Sequence, residues 1–86
     1  MSQEKQIIIL GDACAHCKVM ENRVREVVKE EQWEVPITVI GDIGQILKYG
    51  VLSTPALILG KDIVMVGHIG SKAEIKELIE NYLNSN

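Results

Sequence analysis

The 86-residue sequence predicts an α/β fold with a mixed four-stranded sheet and helices on both of its faces. Short runs of aliphatic, often β-branched residues alternate with segments whose apolar residues recur every three or four positions. Aromatic residues make up only 3% of the chain, so branched aliphatics must build the core, and these suit a sheet covered by helices. We expect one domain, residues 1–86, because a chain this short has no room for a second domain with a core of its own.

The first half of the chain predicts a strand, a long helix, a second strand and a short helix. The first run is continuously aliphatic, as buried strands are. The long helix follows from apolar residues on one face, and Pro36 is tolerated at the start of the second strand. Asp12 is expected to cap the long helix. In chain order the four segments are residues 6–10, Cys14 to about Glu31, residues 35–40 and residues 43–49, the last ending before Gly50.

The second half predicts two strands and a closing helix. Residues 56–59 and 63–66 are aliphatic, and Gly60-Lys61-Asp62 between them predicts a tight hairpin. Ser71 and Glu74 have the spacing of a capping box that opens a helix. The order is therefore β-α-β-α-β-β-α. Its first strand–helix–strand unit predicts a right-handed parallel crossover, and the hairpin adds antiparallel strands.

Composition and charge exclude several function classes. The net charge is −3 and no basic run occurs, so we expect no nucleic-acid partner. The longest apolar runs are far shorter than the roughly 20 residues that span a bilayer, and the first residues do not resemble a signal peptide. We therefore expect no membrane association and a cytoplasmic location. In that reducing compartment, paired cysteines are more often catalytic or metal-binding than structural.

Both cysteines lie in the segment GDACAHCKVM, residues 11–20, at the start of the predicted long helix. Free N–H groups and the helix dipole stabilise a thiolate there, and such a position lowers the pKa of a thiol. Cys17, one turn further on and on the apolar face, should be shielded. This asymmetry suits an attack by Cys14 on a substrate disulfide and resolution by Cys17.

Two other functions compete with redox chemistry. Cys14, His16 and Cys17 offer three ligands for zinc or copper, although the sequence shows no distant fourth ligand. Copper chaperones usually have Met two residues before the first cysteine, whereas this chain has Asp12. A non-catalytic adaptor would instead use an apolar rim of Val51, Leu52 and Ala13 to hold a partner.

Thr54-Pro55, immediately before a predicted strand, is the second notable feature. A proline here is either an ordinary first strand residue or a cis proline, which is uncommon and usually retained for a reason. Together with the C-x-x-C motif, the second interpretation is favoured. A cis proline at this place in thioredoxin-like folds faces the redox cysteines and excludes metal from them.

The chain resembles the small thioredoxin- and glutaredoxin-like redox proteins of bacteria and archaea, the group called redox-active disulfide protein 2. The resemblance covers nearly the whole chain and is most specific at YGVLSTPAL, residues 49–57. It implies a minimal thioredoxin-like fold in which Cys14 is the nucleophile and Cys17 the resolving thiol. Ala13, Thr54 and Pro55 would contact the substrate. It implies no cofactor or resident metal, disulfide-containing protein substrates, and a reductase or low-molecular-weight thiol as electron donor.

Three positions depart from the patterns of related redox proteins. Ala13 replaces the tryptophan that precedes the first cysteine of ordinary thioredoxins, and Gly70-Ser71-Lys72 replaces the Gly-Gly-Asp type turn with which glutaredoxins bind glutathione. Ala15 and His16 stand between the cysteines, where they would tune the redox potential. An imidazole at His16 favours the thiolate and hence the reduced form. We therefore expect a weaker reductant than thioredoxin, with a potential between about −270 and −180 mV.

Overall fold

The computed structural model describes residues 5–12 and 14–85 and has seven elements in the predicted order. Most boundaries agree with the sequence prediction to within one residue. The elements are β1 (Ile7–Leu10), α1 (Ala15–Glu30), β2 (Ile37–Ile40), α2 (Ile43–Lys48), β3 (Ala56–Leu59), β4 (Asp62–Val66) and α3 (Lys72–Asn84).

The four strands form one mixed sheet in the order β2-β1-β3-β4. β1 runs parallel to β2, with Ile7 opposite Ile37, and antiparallel to β3, with Ile7 opposite Leu59. β3 and β4 are antiparallel, with an irregularity in the register between Leu57 and Ile58. The parallel crossover and the antiparallel hairpin are thus as predicted. β1 is a central strand, and its end delivers the chain directly to the cysteine motif.

Each face of the sheet carries its own apolar core, because successive side chains of a strand point to opposite faces. Ile7 and Ile9 pack with α1 and α3 in the larger core. Ile8 and Leu10 pack on the other face, where α2 supplies Ile46. All four β1 side chains are buried, so the continuous aliphatic run reflects a strand covered on both faces. Helices on both faces are confirmed.

Three strand limits differ from the sequence prediction, one of them being that β1 begins at Ile7 rather than at residue 6. β2 begins at Ile37 rather than at residue 35. Pro36 has no N–H to donate to a ladder, and it contributes only its carbonyl, which accepts a hydrogen bond of 3.0 Å from the Ile7 N–H. In the hairpin, Asp62 is paired with Leu59 and belongs to β4, so the connection is shorter than the predicted Gly60-Lys61-Asp62.

α3 is tied to the start of the sheet by polar contacts at its far end. The Gln6 N–H donates to the Tyr82 hydroxyl at 2.8 Å, and Lys5 Nζ donates to the Tyr82 carbonyl at 3.0 Å. At the near end of the helix, the Ser71 Oγ accepts the Glu74 N–H at 3.1 Å, as the capping box predicted. Within the described residues, neither α3 nor any other helix combines the length and apolarity needed to cross a bilayer.

Candidate functional site

Cys14 and Cys17 form a disulfide where the chain leaves β1 and enters α1, with their Cα atoms 5.1 Å apart. Cys14 is the N-cap of α1: its backbone is extended, and its Sγ accepts the Cys17 N–H at 3.0 Å. The prediction that Asp12 caps this helix is therefore wrong. Instead, the Asp12 carboxyl group lies against the Cα of Gly41, so closely that a Cβ added there would collide with it. The capping sulfur belongs to the redox motif itself.

The two cysteines differ sharply in exposure. Cys17 is only 1% exposed and contributes to the buried face of α1, whereas Cys14 is partly exposed. Among the described residues no polar or charged side chain is buried, so no buried carboxylate accompanies Cys17. Cys14 is therefore the more exposed residue of the pair, and the predicted shielding of Cys17 is present in the structure.

The Thr54–Pro55 peptide bond is cis, in agreement with the resemblance stated above. Pro55 is buried, and its carbonyl accepts the Gly67 N–H at 2.9 Å, while Thr54 is exposed. Gly11 shows how close this loop lies to the cysteines. A Cβ at Gly11 would be 2.7 Å from Cys17 Sγ and 3.0 Å from Thr54 Cβ. The proline loop and the redox motif therefore meet at Gly11.

Two grooves flank this meeting point, and Thr54 lines both of them. We name them by their chemistry. The apolar groove, about 440 Å³, contains both cysteines and is walled by Ile43, Ile46, Leu47, Val51 and Leu52. The polar groove, about 450 Å³, is lined chiefly by His16, Arg23, Thr54, Pro55, His68 and Ile69. The site thus offers an incoming molecule two chemically different surfaces.

The structure brings together most, but not all, of the residues singled out in the sequence. Ala13 lies outside the described residues, so its predicted contact with substrate stays a prediction. Ala15 is exposed at the start of α1, and His16 lines the polar groove rather than the groove that contains the cysteines. Val51 and Leu52 do lie beside the cysteines, as the apolar rim required.

Sequence reasoning missed Arg23, His68 and Ile69 in the polar groove. Arg23 follows His16 by seven residues, close to two turns of helix, so the two share a face of α1. That spacing was a usable signal. His68 and Ile69 reach the groove only through the loop between β4 and α3, and nothing in the local sequence indicates that approach.

Metal-ligating side chains do not converge in the described part of the chain. Across residues 5–12 and 14–85, no three side chains of His, Cys, Asp or Glu are grouped so that they could hold a metal ion. His16, the third ligand considered in the sequence, faces the polar groove. The arrangement present is a disulfide at a helix N-terminus between a partly exposed cysteine and a buried one.

Known proteins are similar to this chain over most of its length. The family model described as thioredoxin domain matches residues 5–80. A thioredoxin of Methanothermobacter thermautotrophicus is 34% identical over 74 residues, covering 86% of this chain and 96% of the relative. A thioredoxin of Methanocaldococcus jannaschii is 32% identical over 77 residues, covering 90% of this chain and 88% of the relative.

Solved structures agree on the fold. Chloroplastic thioredoxin z superposes with a TM-score of 0.69 at 16% identity, covering 95% of this chain and 80% of that one. A malarial protein superposes with a TM-score of 0.72 at 17% identity, covering 94% and 99% of the two chains. The family match, the archaeal relatives and the Cys14–Cys17 disulfide support a thiol–disulfide redox function. The chain belongs to the thioredoxin-domain family and is a small thioredoxin-like redox protein.

Proposed function

We propose that this protein is a dithiol–disulfide oxidoreductase that reduces or exchanges disulfides of other proteins, with Cys14 as nucleophile and Cys17 as resolving thiol. The observation that carries the proposal is the unequal exposure of the two cysteines. Cys17 is 1% exposed, whereas Cys14 is partly exposed at the N-cap of α1. The more exposed cysteine is thus the one placed at a helix N-terminus, where a thiolate is stabilised, and this supports Cys14 as the nucleophile.

The reaction proceeds in two exchanges. The Cys14 thiolate attacks one sulfur of the substrate disulfide, so that a mixed disulfide forms and the other substrate sulfur leaves as a thiolate. The Cys17 thiolate then attacks Cys14 Sγ, closing the Cys14–Cys17 disulfide and releasing the second substrate thiolate. Two electrons and two protons have passed from the protein to the substrate, which ends as a dithiol.

The contacts of Cys17 fit its role in the second exchange. Its N–H already donates to Cys14 Sγ at 3.0 Å, so the backbone holds the two residues in register for ring closure. Because Gly11 has no side chain, there is room beside it for the Cys17 sulfur; a side chain at this position would occupy that space. Closing the ring therefore needs little movement of the chain, and a short-lived mixed disulfide is expected.

The substrate segment is proposed to lie extended beside Thr54 and Pro55, next to Cys14. Thr54 is exposed and lines both grooves, so a segment that crosses it contacts the apolar wall on one side and the polar groove on the other. Backbone pairing of this kind is a form of strand addition. A reductase or a low-molecular-weight thiol would then restore the dithiol, in the cytoplasm and without a bound cofactor.

Two single variants test the assignment of roles. Cys17→Ser, mixed with a peptide disulfide, should accumulate a stable mixed disulfide at Cys14 that intact mass spectrometry detects, because the resolving thiol is gone. Cys14→Ser should trap far less, since its remaining thiol is buried. Circular dichroism of both variants shows whether each is folded. Equal trapping by the two folded variants, or preferential trapping at Cys17, would contradict the proposed roles.

A further inference from the structure

The polar groove holds a cationic side chain that is fixed in place without an acidic partner. Arg23 Nη1 donates to the Gly70 carbonyl at 2.8 Å, a partly buried hydrogen bond. A guanidinium carries five N–H donors in a rigid plane, so this bond anchors the head while most donors stay available. The head is therefore oriented before any ligand arrives, which reduces the entropy that binding would cost.

Other basic side chains nearby form ion pairs, in contrast to Arg23. Arg25, two residues on and on the exposed side of α1, pairs with Glu21 at 2.9 Å, and Lys72 pairs with Glu30 at 2.7 Å. Among the residues that the structure describes, Arg23 makes no salt bridge. Glu74 has its carboxyl group beside Gly70, the residue whose carbonyl Arg23 contacts. Arg23 is thus a charge held on the wall of a groove that no carboxylate lines.

His68 lines the same groove. Its Nδ1 lies 3.2 Å from the Val66 carbonyl oxygen. A carbonyl only accepts, so this contact is a hydrogen bond with the proton on Nδ1, which leaves Nε2 as an acceptor in the neutral ring. Among the side chains that line the groove, Arg23 is the one that is always protonated.

Cys14 is the N-cap of α1 and Arg23 lies within this helix, so their separation can be estimated from the sequence. His16 lies two residues after Cys14, and Arg23 lies seven residues after His16. Counted from Cys14, Arg23 is nine residues further along, an interval of about 14 Å at a rise of about 1.5 Å per residue and close to the reach of four extended residues. A molecule joined through sulfur to Cys14 can therefore place a group a few residues away in front of Arg23.

We propose that the polar groove recognises an anionic group, a carboxylate or another acid, on the thiol or disulfide that reacts with Cys14. This inference rests on the proposed function and names the substrates that it favours. The chain as a whole is acidic, with a net charge of −3, so the field of the whole molecule opposes an acidic substrate. Within the polar groove, the positive charge of Arg23 attracts an acidic group instead. Acidic low-molecular-weight thiols and acidic residues beside a protein's cysteine share this chemistry, and the experiment distinguishes them.

The test follows the reduction of the Cys14–Cys17 disulfide by three thiols of different charge, namely 3-mercaptopropionate, 2-mercaptoethanol and cysteamine. In each case the external thiolate attacks Cys14 Sγ, the bond between the cysteines breaks, and Cys17 leaves as the thiolate. A second thiol molecule then displaces Cys14 and forms the external disulfide. Rates are compared at equal thiolate concentration, as the ratio of variant to wild type, which cancels the intrinsic reactivity of each thiol.

Arg23→Gln should slow the reaction with 3-mercaptopropionate by up to about twofold, because the carboxylate of this short thiol feels the charge of Arg23 through the groove without contacting it. The reaction with 2-mercaptoethanol should be unchanged, and that with cysteamine should be faster. Arg23→Lys should retain much of the preference, and high salt should weaken it in the wild type. Glu74→Gln should strengthen the preference for the anionic thiol, because a competing carboxylate is removed.

The matched control is Arg25→Gln, which changes the net charge equally but lies outside the groove, and it should leave all three rates unchanged. An equal slowing of all three thiols by Arg23→Gln would mean that Arg23 only supports Gly70, and it would overturn the proposal. So would an Arg25→Gln effect as large as that of Arg23→Gln. If even 2-mercaptoethanol fails to open the disulfide of the wild type, the proposed function fails as well.

Peptide disulfides identify the source of the anion. Peptides with Glu, Gln or Lys two residues from the cysteine are offered to the reduced wild-type protein and to Arg23→Gln. Dependence on Arg23 with the acidic thiol alone assigns the groove to low-molecular-weight thiols. Dependence with the Glu peptide alone assigns it to protein substrates, and dependence with both supports a shared site. Dependence with neither overturns the inference.

Discussion

Gly11 lies between the end of β1 and the disulfide, where the site leaves no room for a side chain. Its φ is +103°, and an added Cβ would come within 2.7 Å of Cys17 Sγ. Its N–H donates to the Ile40 carbonyl at 2.7 Å, so the residue cannot easily move away. The position of Gly11 thus determines where the buried sulfur and Thr54 sit relative to one another.

Gly11→Ala should slow the exchange with a peptide disulfide by between about tenfold and a hundredfold, because it displaces Cys17 Sγ or Thr54. Gly50→Ala is the matched control: Gly50 also has a positive φ, +79°, but nothing lies within 4 Å of its added Cβ. Both variants should lose about 1–2 kcal/mol of stability from backbone strain, measured by thermal unfolding. Only Gly11→Ala should lose activity; equal losses would contradict this assignment.

Single residues also show where sequence reasoning succeeds. The disulfide between Cys14 and Cys17 and the cis bond before Pro55 could be predicted from spacing and from position relative to a strand or helix, whereas the roles of these residues in a reaction stay predictions. The cap of α1 was not predictable: Asp12 is a better cap by residue type, yet the sulfur of Cys14 takes that place. Residue preferences describe isolated helix ends. In this chain α1 begins at Ala15, so the residue at the cap position is Cys14 and not Asp12.

At the scale of elements, the first turn of α1 sets the electrostatic surroundings of the reactive sulfur. Cys14 caps the helix, and His16 projects into the polar groove. A positive or dipolar imidazole near the N-terminus stabilises the thiolate and therefore favours the reduced protein. The redox potential should respond to the side chain at position 16.

His16→Ala should lower the midpoint potential of the cysteine pair by about 10–20 mV, the equivalent of a surface charge interaction of up to about 1 kcal/mol. Equilibration in graded thiol–disulfide buffers measures this shift. His68→Ala is the control, because His68 lines the same groove from the loop between β4 and α3 and does not lie at the N-terminus of α1. An unchanged or raised midpoint in His16→Ala would show that His16 does not tune the couple.

Element boundaries followed from the sequence wherever periodicity or a cap marked them. α1 and α3 were predictable from their apolar faces and from Ser71, and β1 from its continuous aliphatic run. The start of β2 and the hairpin between β3 and β4 were misjudged by one or two residues. Those limits depend on which backbone groups find a partner across the sheet, and the local sequence does not carry that information.

At the scale of the whole molecule, the order of elements sufficed to predict a mixed sheet with helices on both faces. The two grooves were not predictable in the same way. The polar groove joins α1, the loop before β3 and the loop before α3, which are far apart in the sequence. The apolar groove joins the cysteine motif with α2 and the segment that follows it. Surfaces assembled from distant segments appear only once the chain is folded.

In the complete fold, the cysteine pair lies beside the apolar groove, and the polar groove with Arg23 lies next to it. The central claim is that Cys14 and Cys17 interconvert reversibly between dithiol and disulfide. The most direct test equilibrates the metal-free protein in graded dithiol/disulfide buffers, traps free thiols and counts them by mass. We expect a single reversible two-electron transition with a midpoint between about −270 and −180 mV. The absence of a disulfide in clearly oxidising buffers, or trapping blocked by tightly bound zinc or copper(I), would contradict the claim.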